Sequence, residues 1–315
     1  MMVNATQHAG VQELASTQLN VRRDVPLAPY TTYKVGGPAA LFIELESVES
    51  AAPLLTRLEE LDIAWLVLGK GSNVLISDAG FDGAVIQLGK GFAHHSLDQN
   101  HHGRGVHRLE VGAAMPINRL TRLASRYDVA GVECLGGVPG SVGGAVRMNA
   151  GTVMGEVSDS LESAQLVDAR DGLRWIPAED LKLSYRHSEL PEGAIVTAAR
   201  FRCTDADPAM KTRLAEVLAY RKSTQPLTMP SCGSVFANPP GDHAGRLIEA
   251  CGLKGERIGG AQVSEMHANW IVNTGDAQAS DIKALIERCV ARVKEEHGHV
   301  LRHEVRLLGD WGGDA

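Results

Sequence analysis

Three short stretches hold side chains that could do chemistry. The first is Leu183-Ser184-Tyr185-Arg186-His187-Ser188. A guanidinium among small polar residues can take a carboxylate or phosphate through two parallel hydrogen bonds; residue type alone favours a plain surface arginine. The second is Ser231-Cys232-Gly233-Ser234-Val235-Phe236-Ala237-Asn238-Pro239. Ser234 follows a glycine and precedes an apolar pair, and Asn238-Pro239 forces a turn. No Gly-x-Ser-x-Gly elbow surrounds it, which argues against a hydrolytic nucleophile. A serine that donates a proton and one that only satisfies loop backbone both fit. The third is Arg302-His303-Glu304-Val305-Arg306. Glu304 is either half of a structural ion pair or a carboxylate set into a cleft to orient a proton relay.

Two glycine-rich stretches offer binding surface. Residues 136–151 read Gly136-Gly137-Val138-Pro139-Gly140-Ser141-Val142-Gly143-Gly144-Ala145-Val146-Arg147-Met148-Asn149-Ala150-Gly151. Six of the sixteen are glycine and none is acidic, so the backbone must come close to something or take positive φ. Such a run exposes N–H groups and few side chains, which suits a flat, hydrogen-bonding, partly anionic ligand. An earlier loop reads Leu68-Gly69-Lys70-Gly71-Ser72-Asn73-Val74-Leu75. Two such loops, each beside apolar strand-like runs, point to a large cofactor with a phosphate end and a ring end.

Hydrophobic periodicity predicts the elements that must position these groups. Residues 41–45 read as a strand, and Ser50 then caps a helix to about Leu61 with Leu54, Leu55, Leu58 and Leu61 on one face. A short strand at 65–68 leads into the first glycine loop, and strands follow at 74–76, 84–88 and 106–111. A helix spans 117–127, a hairpin turns at Asp171-Gly172 between 164–169 and 173–176, and a strand covers 194–203. Residues 204–208 look like a boundary, followed by helices at 209–222 and 244–251, the latter stopped by Gly252. A strand is expected at 270–272. Ile282, Leu285, Ile286, Cys289, Val290 and Val293 mark a long amphipathic helix ending near Gly298. The chain closes on an expected strand, 300–308, with Arg302, Glu304 and Arg306 on one face and Leu301, His303, Val305 and Leu307 on the other. The class is α+β.

Composition excludes several functions. At 315 residues, 44% hydrophobic and 22% charged, the chain is an ordinary globular protein of one large or two smaller domains. A net charge of −7 argues against a nucleic-acid or anionic-membrane surface. No apolar run approaches the about 20 residues of a membrane span. Residues 1–20 are polar and lack the apolar core of a signal peptide, so a frayed arm or short helix and a cytoplasmic location are expected. The five cysteines are odd in number and form no Cys-x-x-Cys pair, which argues against a disulfide framework or zinc site. The histidines at 94, 95, 101, 102 and 107 read as a solvated hairpin tip, and no metal is expected.

Taken together, these stretches resemble the UDP-N-acetylenolpyruvoylglucosamine reductases, flavoproteins that form UDP-N-acetylmuramate for peptidoglycan. The resemblance runs from about residue 27 to 309. It includes Tyr30-Thr31-Thr32-Tyr33-Lys34-Val35-Gly36-Gly37-Pro38-Ala39, both glycine loops, Ser184-Tyr185-Arg186, Gly233-Ser234-Val235-Phe236, Ala244-Gly245-Arg246-Leu247-Ile248-Glu249 and His303-Glu304-Val305-Arg306. It implies a vanillyl-alcohol-oxidase-type fold that holds FAD noncovalently. The implied layout is an N-terminal arm (1–26), a FAD-binding domain (27–205, subdomains 27–90 and 91–205), a substrate-binding domain (206–299) and a strand (300–315) returning Glu304 to the site.

The resemblance also assigns roles. Tyr33, Val35, Gly36, Gly69, Lys70, Gly71, Ser72, Asn73, Gly136, Gly137, Val138, Pro139, Gly140, Ser141, Gly143, Gly144, Asn149, Ala150 and Gly151 would contact FAD. NADPH would reduce FAD and leave, and UDP-N-acetylglucosamine enolpyruvate would then take the same cleft. Arg186 would pair with the substrate carboxylate, Glu304 would polarise that end, and Ser234 would protonate the α carbon. Tyr185, Lys222, Asn238, Arg246 and Lys254 would bind the UDP-sugar. The family often has lysine where this chain has Ala237, which shifts weight to Lys222, Arg246 and Lys254. Cys232 replaces a small residue and reads as packing. Only Tyr220 is a tyrosine between Arg186 and Ser234, so the chain resembles the subclass without a tyrosine-bearing lid. A monomer is expected. Another FAD oxidoreductase of this fold, or a nucleotide-binding regulator without catalysis, are the competing readings.

Overall fold

Three successive stretches of the chain each close over an apolar core in the computed structural model, which describes residues 19–312. In the first, β1 (Leu19–Pro26), β2 (Pro38–Leu45), β3 (Trp65–Val67) and β5 (Phe81–Leu88) form a sheet in the order β1-β2-β5-β3. β1 runs antiparallel to β2, whereas β5 is parallel to both β2 and β3. Helix α1 (Ala51–Glu60) buries Leu54, Leu55 and Leu58 on the face that the leucine spacing predicts. β4 (Val74–Ile76) follows the first glycine loop.

The expected arm at 1–26 is corrected by β1. Leu19 and Val25 are buried while Asn20, Arg23 and Asp24 are exposed. The strand is an edge strand whose charged outward residues mask its period. Residues 1–18 of that arm lie outside the described residues.

The second stretch builds an antiparallel sheet, β12-β11-β13-β7-β6, from β6 (His95–Asp98), β7 (Val106–Gly112), β11 (Leu161–Asp168), β12 (Gly172–Pro177) and β13 (Ile195–Asp205). β8 (Val129–Ala130) pairs with β13. Helix α2 (Ile117–Tyr127) buries Ile117, Leu120, Leu123 and Ala124. The second glycine loop enters the short helix α3 (Val142–Arg147) and then the two-residue strands β9 (Gly151–Thr152) and β10 (Gly155–Glu156). The histidines pair singly with acids: His101 with Asp98, His102 with Glu162 and His107 with Asp205.

Helix α4 (Pro208–Thr224), capped by Asp207, buries none of its residues and lays Leu214 and Leu218 over Gly136 and Gly137. The third core packs α6 (Ala279–His297), through Ile282, Leu285, Ile286, Cys289 and Val293, on α5 (Ala244–Ala250) and on the small sheet β14 (Arg257–Ile258), β15 (Ala261–Val263) and β16 (Ile271–Asn273). Gly298, at φ +72°, ends α6 in the left-handed conformation.

The expected 300–308 strand is corrected in part. Only β17 (Arg306–Leu308) is a strand, and it runs parallel to β4 in the first stretch. Residues 302–304 instead pair with Phe236 and its neighbours. Two different partners break one continuous ladder, although Leu301 and Val305 are buried as their alternation requires. All five cysteines are buried and free. No helix among the described residues is long and apolar enough to cross a membrane.

Candidate active site

The two glycine loops touch. Ser72 Oγ donates to Pro139 O at 3.2 Å. A Cβ on Gly69 would stand 2.6 Å from Ser141 Oγ, and one on Gly140 2.9 Å from Ser72 Oγ. Gly71, at φ +60°, turns the first loop where a Cβ would come within 2.3 Å of Tyr30 O. Close approach of loop to loop therefore favours glycine at 69 and 140, and the turn against Tyr30 favours it at 71, in addition to any ligand.

A cleft of about 1320 Å³ opens beside this crossing, lined among others by Gly69, Lys70, Ser141, Gly143, Gly144 and Arg147. An adjoining cavity of about 620 Å³ shares Gly69 and Lys70 and adds Gly137, Pro139, Arg221 and Trp270. Two buried donors on that cavity, Arg221 Nε and Trp270 Nε1, have no hydrogen-bond partner. Burial lowers the pKa of Arg221; it lowers that of Arg147 too, with the positive charge of Arg306 adding to the effect. Unpaired donors and closely spaced cations on a glycine-lined cleft fit a ligand with a phosphate end. That donor set fits FAD.

The groups with chemical potential converge from opposite parts of the chain. Ser184 and His187 exchange backbone hydrogen bonds at 3.0 and 2.9 Å and close a tight turn that presents Tyr185 and Arg186. Arg186 takes φ +56°, uncommon for a residue with a Cβ. Its Nη2 donates to Gly151 O at 3.1 Å, its Nη1 to Asn149 O at 3.4 Å, and its Nε lies 3.6 Å from Glu304 Oε2. Tyr185 donates to Glu304 Oε1 at 3.3 Å. The Glu304 side chain is 13% exposed, and burial raises its pKa above the usual carboxylate range, against the lowering effect of Arg186 and Tyr185.

Ser234 arrives through backbone pairing. Glu304 N donates to Val235 O at 2.7 Å, and Ala237 N to Arg302 O at 3.0 Å. The buried Asn269 side chain bonds both N and O of Phe236, which fixes the other side of this segment. Ser234 is thereby held one residue from the Glu304 ladder, partly exposed. Asn73 locks the arrangement to the first glycine loop: its Nδ2 donates to Glu304 O at 3.1 Å, and its O accepts from Arg306 N at 3.1 Å.

Several of the expected contact residues have partners within the protein. Tyr33 is fully buried in the third core and Val35 is buried beside it, so neither side chain reaches the cleft. Gly36, at φ +121°, packs on Ile76. Asn73 Nδ2 gives one N–H to Glu304 O, and the buried Asn149 Nδ2 gives both of its to Glu156 and Ser184. Gly136 lies under Leu214, while Val138 and Ala150 pack on the second core. Asn238 Oδ1 accepts from Ala244 N and so caps α5. Lys222, Arg246 and Lys254 line neither cavity, and nor do Tyr185, Arg186, Ser234 and Glu304; Arg246 is paired with Asp242 and Lys254 with Glu249. Arg221, one residue and about 100° of helix turn from Lys222, lines the smaller cavity. Glu156, Arg147, Arg221 and Trp270 were not expected in the site. For Arg221 the helical phase of Leu214 and Leu218, which lie on the glycine run, was the available signal.

Comparison with known proteins decides the family. A model described as "FAD binding domain" matches residues 39–176, and one described as "UDP-N-acetylenolpyruvoylglucosamine reductase, C-terminal domain" matches residues 225–308. The UDP-N-acetylenolpyruvoylglucosamine reductase of Anaeromyxobacter dehalogenans is 44% identical over 293 residues, covering 93% of this chain and 87% of the relative. The chain belongs to the UDP-N-acetylenolpyruvoylglucosamine reductase family. The reductase of Halalkalibacterium halodurans is 42% identical, covering 95% of this chain and 98% of its own. The crystal structure of the UDP-N-acetylenolpyruvylglucosamine reductase of Thermus caldophilus superposes with a TM-score of 0.79 at 38% identity, covering 92% of this chain and 99% of that one. As a member of this reductase family the chain is a flavoprotein oxidoreductase, with the expected α+β FAD-binding fold and a C-terminal domain.

Proposed function

We infer that the chain reduces the enolpyruvyl group of UDP-N-acetylglucosamine enolpyruvate at the expense of NADPH, giving UDP-N-acetylmuramate for peptidoglycan. The observation that carries this reading is the meeting of Arg186 and Glu304, with Ser234 on the strand segment paired to Glu304. Bound FAD supplies the hydride chemistry between NADPH and the enolpyruvyl carbon.

Arg186 pairs with the substrate carboxylate. Its Nη2 spends one N–H on Gly151 O and keeps a second for a substrate oxygen. A fixed cation there stabilises the negative charge that grows on the enolpyruvyl group as hydride arrives, at no cost in reorganisation. Glu304 and Tyr185 hold the guanidinium from the other side and fix its plane. Ser234 gives its proton to the α carbon. A hydroxyl is a weak acid, but the carbon it protonates is a far stronger base, so position suffices. Arg221 and Lys70 supply cationic surface for phosphate at the glycine crossing. All three reacting groups come from one chain, so the reading needs no second copy, and its nucleotide substrates place it in the cytoplasm.

The test is NADPH oxidation by FAD-loaded protein with and without the enolpyruvyl sugar. Oxidation that depends on the sugar and yields UDP-N-acetylmuramate is expected. Equal oxidation in its absence overturns the reading in favour of another flavin oxidoreductase.

A further inference from the structure

Arg186 is held at more points than an ordinary substrate-binding arginine needs, and most of them come from residues 149–156. Asn149 O and Gly151 O accept from its Nη1 and Nη2, and Glu156 Oε1 lies 3.5 Å from Nη1. Glu156 is itself fixed. Its Oε2 accepts from Asn149 Nδ2 at 2.8 Å, and its backbone N donates to Asp159 Oδ2 at 2.8 Å in a reciprocal cap of the turn at 157–159. Asn149 is fully buried at φ +40°, and its side chain is completely used: Nδ2 also donates to Ser184 O at 3.0 Å, and Oδ1 accepts from Ser158 N at 2.9 Å.

Two non-glycine residues at positive φ, Asn149 and Arg186, are thus joined through one carboxylate. Such backbone persists only where its surroundings over-determine it, and it concentrates at functional sites. A turn that merely had to close would need neither a buried amide nor a second carboxylate on the arginine.

We propose that Glu156 is a positioning residue of the reductase reaction: clamped by Asn149, it holds the Arg186 guanidinium in the plane where its free N–H and Glu304 face the substrate carboxylate. The proposal rests on the functional reading above. Glu156 never touches substrate; it acts through Arg186. It also shares the arginine's charge, so Glu304 sees only part of it. The charged and titratable groups around Glu304 are Arg186 and Tyr185 on the 184–187 turn, Glu156 beyond Arg186, and Arg302 on its own segment. The facing Val235 and Asn73 contribute backbone and amide groups only.

The test is Glu156→Gln in the FAD-loaded full chain, with Glu156→Asp as the charge-retaining variant. In Glu156→Gln, kcat with the enolpyruvyl sugar should fall about tenfold, the order expected for one charge-assisted hydrogen bond. Titration calorimetry on the oxidised protein should show the sugar bound no more weakly, because Arg186 keeps its full charge. The acid limb of the pH profile should move to lower pH, because Arg186 then stabilises the Glu304 carboxylate alone. Glu156→Asp should keep the wild-type pH profile and recover part of kcat. If Glu156→Gln does not fold, Glu156→Asp decides alone, with reduced kcat and an unmoved pH profile supporting the proposal. Wild-type kcat and pH profile in the variant tested overturn the proposal while leaving the functional reading intact, as does a kcat loss matched by an equal loss of bound FAD. Wild-type protein that does not respond to the sugar removes both.

Discussion

Arg186 and Glu304 stand 3.6 Å apart, Nε to Oε2, although neither belongs to a long helix or strand at that point. Arg186 sits on a two-residue turn, and Glu304 on an extended segment between a bridge to Phe236 and the strand Arg306–Leu308. Their meeting depends on the chain end crossing from the third core back to the first. The site is therefore assembled late in topology, from parts that each need a neighbour to hold them.

This burial gives Glu304 a signature in stability. Its pKa is raised in the folded protein, mainly by desolvation, so the folded state holds the proton to higher pH than the unfolded chain does. Its contribution to stability is full below the ordinary carboxylate pKa and is lost as pH rises through the raised value. Wild-type Tm measured against Glu304→Gln should gain as pH falls through that window. A difference that stays flat across it contradicts the buried setting of Glu304.

Arg221 and Lys222 should behave differently. Arg221 lines the cavity with an unpaired Nε, and Lys222 is exposed and lines neither cavity. Arg221→Ala should weaken FAD retention or raise KM for the enolpyruvyl sugar by about tenfold, as for a lost hydrogen bond to a charged group. Lys222→Ala should change either by less than about twofold, as for an exposed charge. A larger effect at Lys222 than at Arg221 would show that α4 presents the other face.

Gly71→Ala tests the turn of the first glycine loop. The substitution puts a Cβ at φ +60° against Tyr30 O. It should cost more than about 1 kcal/mol in urea unfolding of the apoprotein and leave less FAD bound after gel filtration. Unchanged stability and FAD content would contradict the close packing of the first glycine loop on Tyr30.

The sequence displayed the elements more fully than the site. Helices with a clear apolar stripe, such as Ala279–His297, were legible because tertiary burial follows their period. The strand Leu19–Pro26 was not, since an edge strand carries charge on its open face. Arg186, Ser234 and Glu304 stand out by neighbourhood, but residue type leaves each between a functional and a bland role, and only the family resemblance separates the two. Asn73 and Asn149 were placed on the cofactor because they sit in glycine runs. Both amides also tie distant segments together, which depends on non-local partners such as Glu304 and Ser184. Lys222 is expected on the UDP-sugar from its position at the end of a helix in the substrate-binding stretch, and that position alone does not tell which of Arg221 and Lys222 faces the cavity.

The proton from Ser234 is the central claim, and stopped-flow kinetics of Ser234→Ala test it most directly. Flavin reduction by NADPH needs no proton from Ser234 and should proceed near the wild-type rate. Reoxidation by the enolpyruvyl sugar needs the α carbon protonated and should slow by about 10²–10⁴-fold, the range for loss of a general acid, with Ser234→Cys retaining part of the rate. A serine that only satisfies loop backbone predicts small and equal changes in both phases. Reoxidation of Ser234→Ala at the wild-type rate would contradict the account and remove Ser234 from the mechanism.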